Sequence, residues 1–365
     1  MIDETMLKAE ESAVYTLRAL YRRYGYLPYR MVKFEEYDFY ARNKDFLVSD
    51  RIITFTDSRG RLLALKPDVT LSIIKNGEDR KGCAQRLCYS EKVFRASGSL
   101  GQFKEITQAG LECIGDLDLY DLFEVVSLAA QSLAALGRRW VLNLSHLGLL
   151  NALLAGLGGD GTLERECARC IAERNVHELA ALCRASGVEE KRIEELCFFA
   201  KLHGPLEEAL TQLAPYCESE TAKNALEELR MLCKLLTEAG HSDNIRFDFS
   251  VVNNRKYYNG LVFQGFLEDI PESVLTGGRY DRLMERMGRA SSGIGFAVYL
   301  DRLDDEADES APDVDVLLLC DDPTEAARKA SALRQEGESV SVQRAIPDKL
   351  RYGRLLDLRG GKEHA

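Results

Sequence analysis

The sequence predicts an α+β protein: a β-rich core, interrupted by a helical insertion and followed by a short α/β segment. Three observations carry this. Strand-like runs punctuate residues 52–144, vanish from 146 to about 240, and return at 245–266. In the gap between them, Leu, Ala, Glu and Arg recur at helical spacing. Residues 301–312 (DRLDDEADESAP) carry six acids and one arginine and end in proline, the composition of a solvated linker.

Taken in order, residues 4–26 read as a helix with Leu7, Val14, Leu17, Leu20 and Tyr21 on one apolar stripe. IITFTD and LLALK, within 52–66, flank the turn Ser58-Arg59-Gly60 as a hairpin. Pro67 opens a short helix, where its missing N–H costs little. Two strands follow, 86–95 and 103–115, joined by the Gly- and Ser-rich loop 96–102. Residues 119–136 form an amphipathic helix and 140–144 a strand. Five or six helices then run to about 240, broken at Gly158-Gly159, Gly187 and Gly204-Pro205. Strands return at 245–252 and 256–266; a Gly277-Gly278 turn leads into a helix over 280–287, and 293–303 passes from a strand end into a final helix. The expected division is a core of 1–144 and 245–305, an insertion of 145–244, the acidic linker 301–312, and an α/β piece of 313–365, of which 314–342 read strand, helix, strand. That last piece is thin for an independent core.

Of the 365 residues, 45% are apolar and 29% charged, ordinary for a globular chain with room for about two domains. No run approaches the roughly 18 apolar residues of a membrane span. The first 25 residues carry acids and no apolar h-region, so no signal peptide is visible. No membrane partner and a cytoplasmic location are expected. With 59 acids against 48 bases the net charge is −11, which argues against nonspecific nucleic-acid binding. Ten cysteines are too dilute for a disulfide scaffold and fit a reduced compartment. Cys167 and Cys170 form a C-x-x-C without a second close pair, and the five histidines are scattered. They read as packing or surface residues, with no metal or cofactor expected.

Several positions could carry chemistry. In strand 103–115, Lys104, Ile106, Gln108, Gly110, Glu112 and Ile114 share one face. A buried amide and carboxylate must find partners. These are either a ligand amine or imidazole, or a protein group such as Arg95. Arg95 suits a carboxylate or phosphate gripped by two parallel hydrogen bonds, or a loop-end salt bridge. Asp68 and Thr70 follow Lys66-Pro67 in a first helical turn, where they either cap the helix or line a site. Tyr257 and Tyr258 precede Asn259-Gly260, and strand alternation lets at most one of them line a given pocket. The Gly277-Gly278-Arg279-Tyr280-Asp281 stretch permits close backbone approach.

The order of these elements is FTDSRGRLLALKPDVT, YSEKVFRASGSLGQFKEITQAGLECIG, a helical block, VVNNRKYYNGLVFQ, TGGRYDRL and SGIGFAVYLDRL. It resembles the catalytic domain of histidyl-tRNA synthetases, a class II aminoacyl-tRNA synthetase fold, over about residues 5–305. The resemblance implies a six-stranded antiparallel sheet flanked by helices, a helical insertion and a dimer. It also implies a histidine pocket made of Asp68, Val69 and Thr70 from LKPDVT, Arg95, Gln108, Glu112, Tyr257 and Tyr258. On that likeness the acids and Gln108 meet the amine, and a tyrosine and Glu112 the imidazole.

The sequence also departs from the pattern. The arginine of the synthetases' VRGLDYYTG segment falls on Asn253, with Arg255 two residues along. Losing that cation should cost on the order of 10²–10³ in the rate of histidine activation by ATP. The loop after Arg95 is one residue shorter, with Gln102 at a basic position, and Tyr299 stands where GLERL has its glycine, crowding an adenine site. The C-terminal piece is about half the length of the synthetases' anticodon-binding domain. This combination resembles the regulatory subunits of ATP phosphoribosyltransferase. Such a subunit is not an enzyme by itself, binds L-histidine, and joins a short-form catalytic subunit as a dimer within a hetero-octamer, with no tRNA partner. The alternatives are a competent or degenerate histidyl-tRNA synthetase and a histidine-sensing or aminoacylating paralogue with another partner.

Overall fold

Helix α1 (Ala9–Arg23) is set by its ends and one face. Glu11 accepts from the Lys8 N–H at 3.1 Å, acids occupy the first turn, and Arg22 and Arg23 the last. Its buried face is Ala13, Leu17 and Tyr21; of the stripe read from the sequence, Leu17 and Tyr21 are buried, Val14 and Leu20 partly so, and Leu7 lies outside the described residues. The computed structural model describes residues 8–47, 51–79, 81–97, 102–157, 161–251, 257–303 and 312–359. It forms two compact units, Met1–Asp304 and Asp305–Ala365. The Gly158-Gly159 break, most of the acidic linker, loop 98–101, Asn253 and Arg255 lie outside the described residues.

After α1 come β1 (Leu27–Pro28), β2 (Phe34–Glu36), α2 (Tyr37–Arg42), β3 (Thr54–Thr56), β4 (Leu62–Leu65) and α3 (Thr70–Asn76). β3 and β4 are the expected hairpin, and β2 pairs with β4 to complete a small three-stranded sheet. The helix begins at Thr70 rather than Pro67, with Asp68 Oδ1 accepting from the Leu71 N–H at 2.9 Å. The long hairpin β5 (Ala84–Ser97) and β6 (Gln102–Gly115) leads into α4 (Leu119–Ala135) and β7 (Trp140–His146). Asp118 caps α4 by accepting from Tyr120 and Asp121 N–H groups.

The insertion is helical: α5 (Leu147–Leu154), α6 (Thr162–Ala172), α7 (Val176–Ala185), α8 (Glu190–Lys201), α9 (Leu206–Leu213) and α10 (Glu220–Glu238). Gly204-Pro205 is not a bare break: His203–Pro205 is strand β8, paired antiparallel with β9 (Ile245–Asp248). Cys167, Cys170 and Cys183 are buried among these helices, with 3.6 Å between the Sγ atoms of Cys167 and Cys183. The core resumes with β10 (Leu261–Leu267), β11 (Leu275–Arg279), α11 (Asp281–Arg286) and β12 (Ser292–Tyr299). Two expectations fail here. Gly277 and Gly278 lie inside β11 rather than in a turn, because a Cβ on Gly277 would sit 2.5 Å from both Phe263 and Phe296, which pack across it. The run 293–303 ends in a single 3-10 turn, Leu300–Arg302, rather than a helix, so the first residues expected in the linker belong to the first unit.

The main sheet has the order β1-β5-β6-β12-β11-β10-β7-β9-β8. Its middle run from β5 to β7 is six antiparallel strands, as expected; β1 adds in parallel beyond β5 and β9 beyond β7. Each face carries its own apolar cluster. Ala109, Leu111 and Cys113 of β6 join α1, α4 and the insertion helices, while Ile114 faces α3, α11, Tyr89 and Tyr257. Gln108 and Glu112 therefore point to the α3 side.

In the second unit, β13 (Val314–Leu319), α12 (Pro323–Gln335), β14 (Val340–Gln343) and β15 (Tyr352–Asp357) give a parallel sheet of order β14-β13-β15. The third strand was not expected. Its sequence, YGRLLD, is half-exposed and lacks a clean alternation.

Leu17 is fully buried where α1 meets the sheet. Leu17→Ala is expected to lower unfolding free energy by about 2–5 kcal/mol, read as a lower urea midpoint at unchanged slope.

Candidate functional site

Strand β6 carries Gln108 and Glu112 four residues apart, about 13 Å along the strand. Across the ladder on β12, Gly295 is registered opposite Glu112 and Tyr299 opposite Gln108. The glycine is required. A Cβ at position 295 would lie 2.5 Å from the Leu111 carbonyl oxygen and closer still to Glu112 Oε2. Into the space it leaves, Glu112 extends with both carboxyl oxygens engaged. Thr70, first residue of α3, donates its hydroxyl to Oε1 at 2.6 Å, and Tyr280, at the start of α11, donates to Oε2 at 2.6 Å. Glu112 is 2% exposed. Burial pushes its acid up to about 8, against the two hydroxyl donors that favour the ionised form and with the help of Asp68, which opposes it. Burial also holds the hydroxyls of Tyr257, Tyr258, Tyr280 and Tyr89 well above their usual range, so they remain proton donors.

A second pole is built around Arg95. Its Nε donates to the Pro67 carbonyl at 2.9 Å, its terminal nitrogen lies 3.7 Å from Asp68, and the Tyr299 hydroxyl is within its hydrogen-bonding reach. Asp68 is buried too, and burial raises its acid against the pull of Arg95. Both readings of Asp68 hold, since it caps α3 and faces the cavity. Glu112 does not pair with Arg95; other protein groups, the two hydroxyls, partner it instead, as the structural reading allowed. Gln108 Nε2 is buried and has no partner among the described residues.

All eight residues singled out from the sequence line one cavity of about 180 Å³: Asp68, Val69, Thr70 and Arg95, then Gln108, Glu112, Tyr257 and Tyr258. One expectation is corrected. Both tyrosines face the cavity, because residues 257–260 are irregular and β10 starts only at Leu261, so strand alternation does not separate them. Their rings meet edge to face at 4.8 Å. The site also contains Tyr89, Phe263, Thr276, Tyr280, Gly295 and Tyr299. Sequence reasoning did not place Tyr280 as a partner of Glu112. The signal was the TGGRYD motif together with Gly293 and Gly295, two residues apart on one strand face; a Cβ on Gly293 would strike the Tyr280 ring.

The six-stranded antiparallel sheet and this cavity between strand faces and α3 define a class II synthetase-like fold. The chain matches the histidyl-tRNA synthetase family over residues 2–303. An ATP phosphoribosyltransferase regulatory subunit from Geobacter metallireducens is 30% identical over 328 residues, covering 85% of this chain and 75% of that one. The one from Syntrophotalea carbinolica is 28% identical over 360 residues, covering 94% and 84%. Among solved structures, an ATP phosphoribosyltransferase regulatory subunit/histidyl-tRNA synthetase from Bacillus halodurans superimposes with a TM-score of 0.73 at 24% identity, covering 99% of this chain and 92% of that one. The ATP phosphoribosyl transferase (HisG:HisZ) complex from Thermotoga maritima gives 0.62 at 19% identity, covering 82% and 97%. The chain belongs to the histidyl-tRNA synthetase family and, within it, to the ATP phosphoribosyltransferase regulatory subunits.

Gly295→Ala is expected to cost about 1–3 kcal/mol of stability through overpacking. It should also displace Glu112, and both effects are checked by thermal melting and by the ligand titration described next.

Proposed function

We propose that this chain is a non-catalytic regulatory subunit that binds free L-histidine in the Glu112–Arg95 cavity and controls an ATP phosphoribosyltransferase catalytic subunit. The observation that carries the reading is the pairing of two poles in a cavity of about 180 Å³. Ordinary small-molecule pockets run to roughly 300–1,000 Å³, so this one suits a ligand of amino-acid size. A buried carboxyl at one end, already engaged by two hydroxyls, accepts from an imidazole N–H or carries an imidazolium. Arg95 at the other end takes a carboxylate, and Asp68 and the Gln108 side-chain oxygen accept from an ammonium. The partner is supported by the names of the relatives and by the solved complex; it would be the short-form catalytic subunit, with the chain present as a dimer within a hetero-octamer. Regulation then needs histidine to favour one state of the assembly, and a coupling of about 1–3 kcal/mol suffices.

The family match favours a second reading, a histidyl-tRNA synthetase. Histidine-dependent exchange of pyrophosphate into ATP by the purified chain decides between them. No exchange is expected; clear exchange overturns the regulatory reading.

The pH dependence of histidine binding follows from Glu112. In the complex, the imidazole and the Glu112 carboxyl share one proton between two basic positions. Below a free imidazole value of about 6.5, both groups are protonated before binding, so one proton must leave and affinity falls as pH drops. Above about 8, the free protein's Glu112 is ionised. Binding then takes up a proton, and affinity falls as pH rises. Calorimetric titration should give a plateau between these values. Glu112→Gln should abolish the alkaline limb and weaken histidine by about 10- to 100-fold, the worth of a hydrogen bond to a charged group. It should likewise raise the histidine concentration that half-inhibits the reconstituted phosphoribosyltransferase.

A further inference from the structure

On β12, two residues four apart on one face do opposite things to the cavity. Gly295 opens space opposite Glu112; Tyr299 fills it opposite Gln108. Tyr299 is also held from three sides. Its hydroxyl lies 3.0 Å from Thr276 Oγ1 on β11. The same hydroxyl is within reach of Arg95. The Arg302 guanidinium stacks over its ring at 4.5 Å from the centroid. Arg302 is itself anchored, by Glu272 at 3.1 Å and by the Ser273 carbonyl. A half-buried tyrosine with this many contacts is a fixed wall rather than a swinging side chain.

The position of the wall decides what it excludes. Arg95 is the one cation lining the cavity among the described residues. On the histidine reading the anionic end of the ligand goes to Arg95, and Tyr299 stands beside it. We infer that Tyr299 is a specificity-determining residue that admits a free α-carboxylate and rejects the same amino acid extended through its carboxyl carbon, whether as an amide, an ester or a peptide. The inference rests on the histidine reading of the cavity and deepens it. A subunit that reports on free histidine has to ignore histidine already joined to something else, and a rigid ring against the carboxylate does this by sterics. Repulsive packing of this kind separates ligands that share every attractive contact.

The test uses the full chain and two probes, L-histidine and the dipeptide L-histidyl-glycine. The dipeptide keeps a carboxylate but carries it one residue further out. By isothermal titration, the wild-type chain should bind the dipeptide at least about 100-fold more weakly than histidine, and Tyr299→Ala should shrink that ratio to about tenfold or less. Tyr299→Phe keeps the ring and should keep the wild-type ratio. If Tyr299→Ala melts early, Tyr299→Leu retains an apolar filling of smaller reach and should move the ratio the same way. A general loosening of the fold would weaken both probes together and leave the ratio unchanged. An unchanged ratio in both the Ala and Leu variants overturns the assignment, as does a wild-type chain that takes the dipeptide as readily as histidine. Failure of histidine itself to bind the wild-type chain overturns the histidine reading, and this inference with it.

Discussion

A carboxyl group buried without a cation is the constraint around which the rest of the site is arranged. Glu112 is almost wholly out of water, and among the described residues no Lys or Arg meets it. Removing such a group from water costs several kcal/mol unless it is neutralised or hydrogen-bonded. The chain does both in part. Thr70 and Tyr280 donate to its two oxygens, and burial raises its acid well above the usual carboxylate range. Each solution makes a demand elsewhere. Thr70 must stand at the first turn of α3, which Asp68 secures by capping Leu71. Tyr280 must end β11 with its ring over Gly293, and Gly295 must leave room for Oε2. One carboxyl thus ties β6, β12, α3 and the β11–α11 junction together.

The second pole is balanced differently. Arg95 and Asp68 are both buried, yet 3.7 Å apart, longer than a tight ion pair. Arg95 spends its Nε on a backbone carbonyl and shares its remaining donors with Asp68 and Tyr299. The cavity therefore presents donors that can be re-partnered beside an amide, Gln108 Nε2, that has no partner among the described residues. Half-satisfied polar groups in a low-dielectric space are costly, and an amphoteric ligand that meets them all removes that cost. The pocket is polar at both ends and lined by aromatic rings between.

Much of this was legible in the sequence, for physical reasons. The period-2 pattern of β6 fixed the face of Gln108 and Glu112, since a one-residue slip would send Leu111 and Cys113 to the wrong side. The resemblance carried by the order of motifs implied the six antiparallel strands and the set of residues, from Asp68 to Tyr258, that line one cavity across 190 positions. What failed was local. Gly277-Gly278 looks like a turn because glycine usually marks one, yet here it admits Phe263 and Phe296 across a strand. The Tyr257-Tyr258 pair was judged by strand alternation, but the backbone there is irregular, so both rings turn inward. The Tyr280–Glu112 bond joins residues 168 apart and has no local signature. Strand β15 was missed because its neighbours, not its own pattern, pair it.

The same geometry bears on how a binding site could serve control rather than catalysis. The cavity draws on segments before the helical insertion, 68–112, and after it, 257–299, so a ligand that touches both poles bridges them. The insertion is itself tied to this junction. Glu228 on α10 lies 3.2 Å from His146 at the end of β7 and 3.8 Å from Arg279, the residue before Tyr280. Arg279 is further fixed by Asp281 at 2.7 Å. A displacement of α10 therefore acts on the strand end that delivers the Tyr280 hydroxyl to Glu112. If the proposed ligand depends on Glu112, reciprocity couples its binding to any such displacement by the same free energy. On the proposed function, the site has no need of a reacting group. It needs a ligand whose binding differs between two placements of β11 and α10, and a buried acid held by a single tyrosine from that junction is a contact whose strength changes steeply with small shifts.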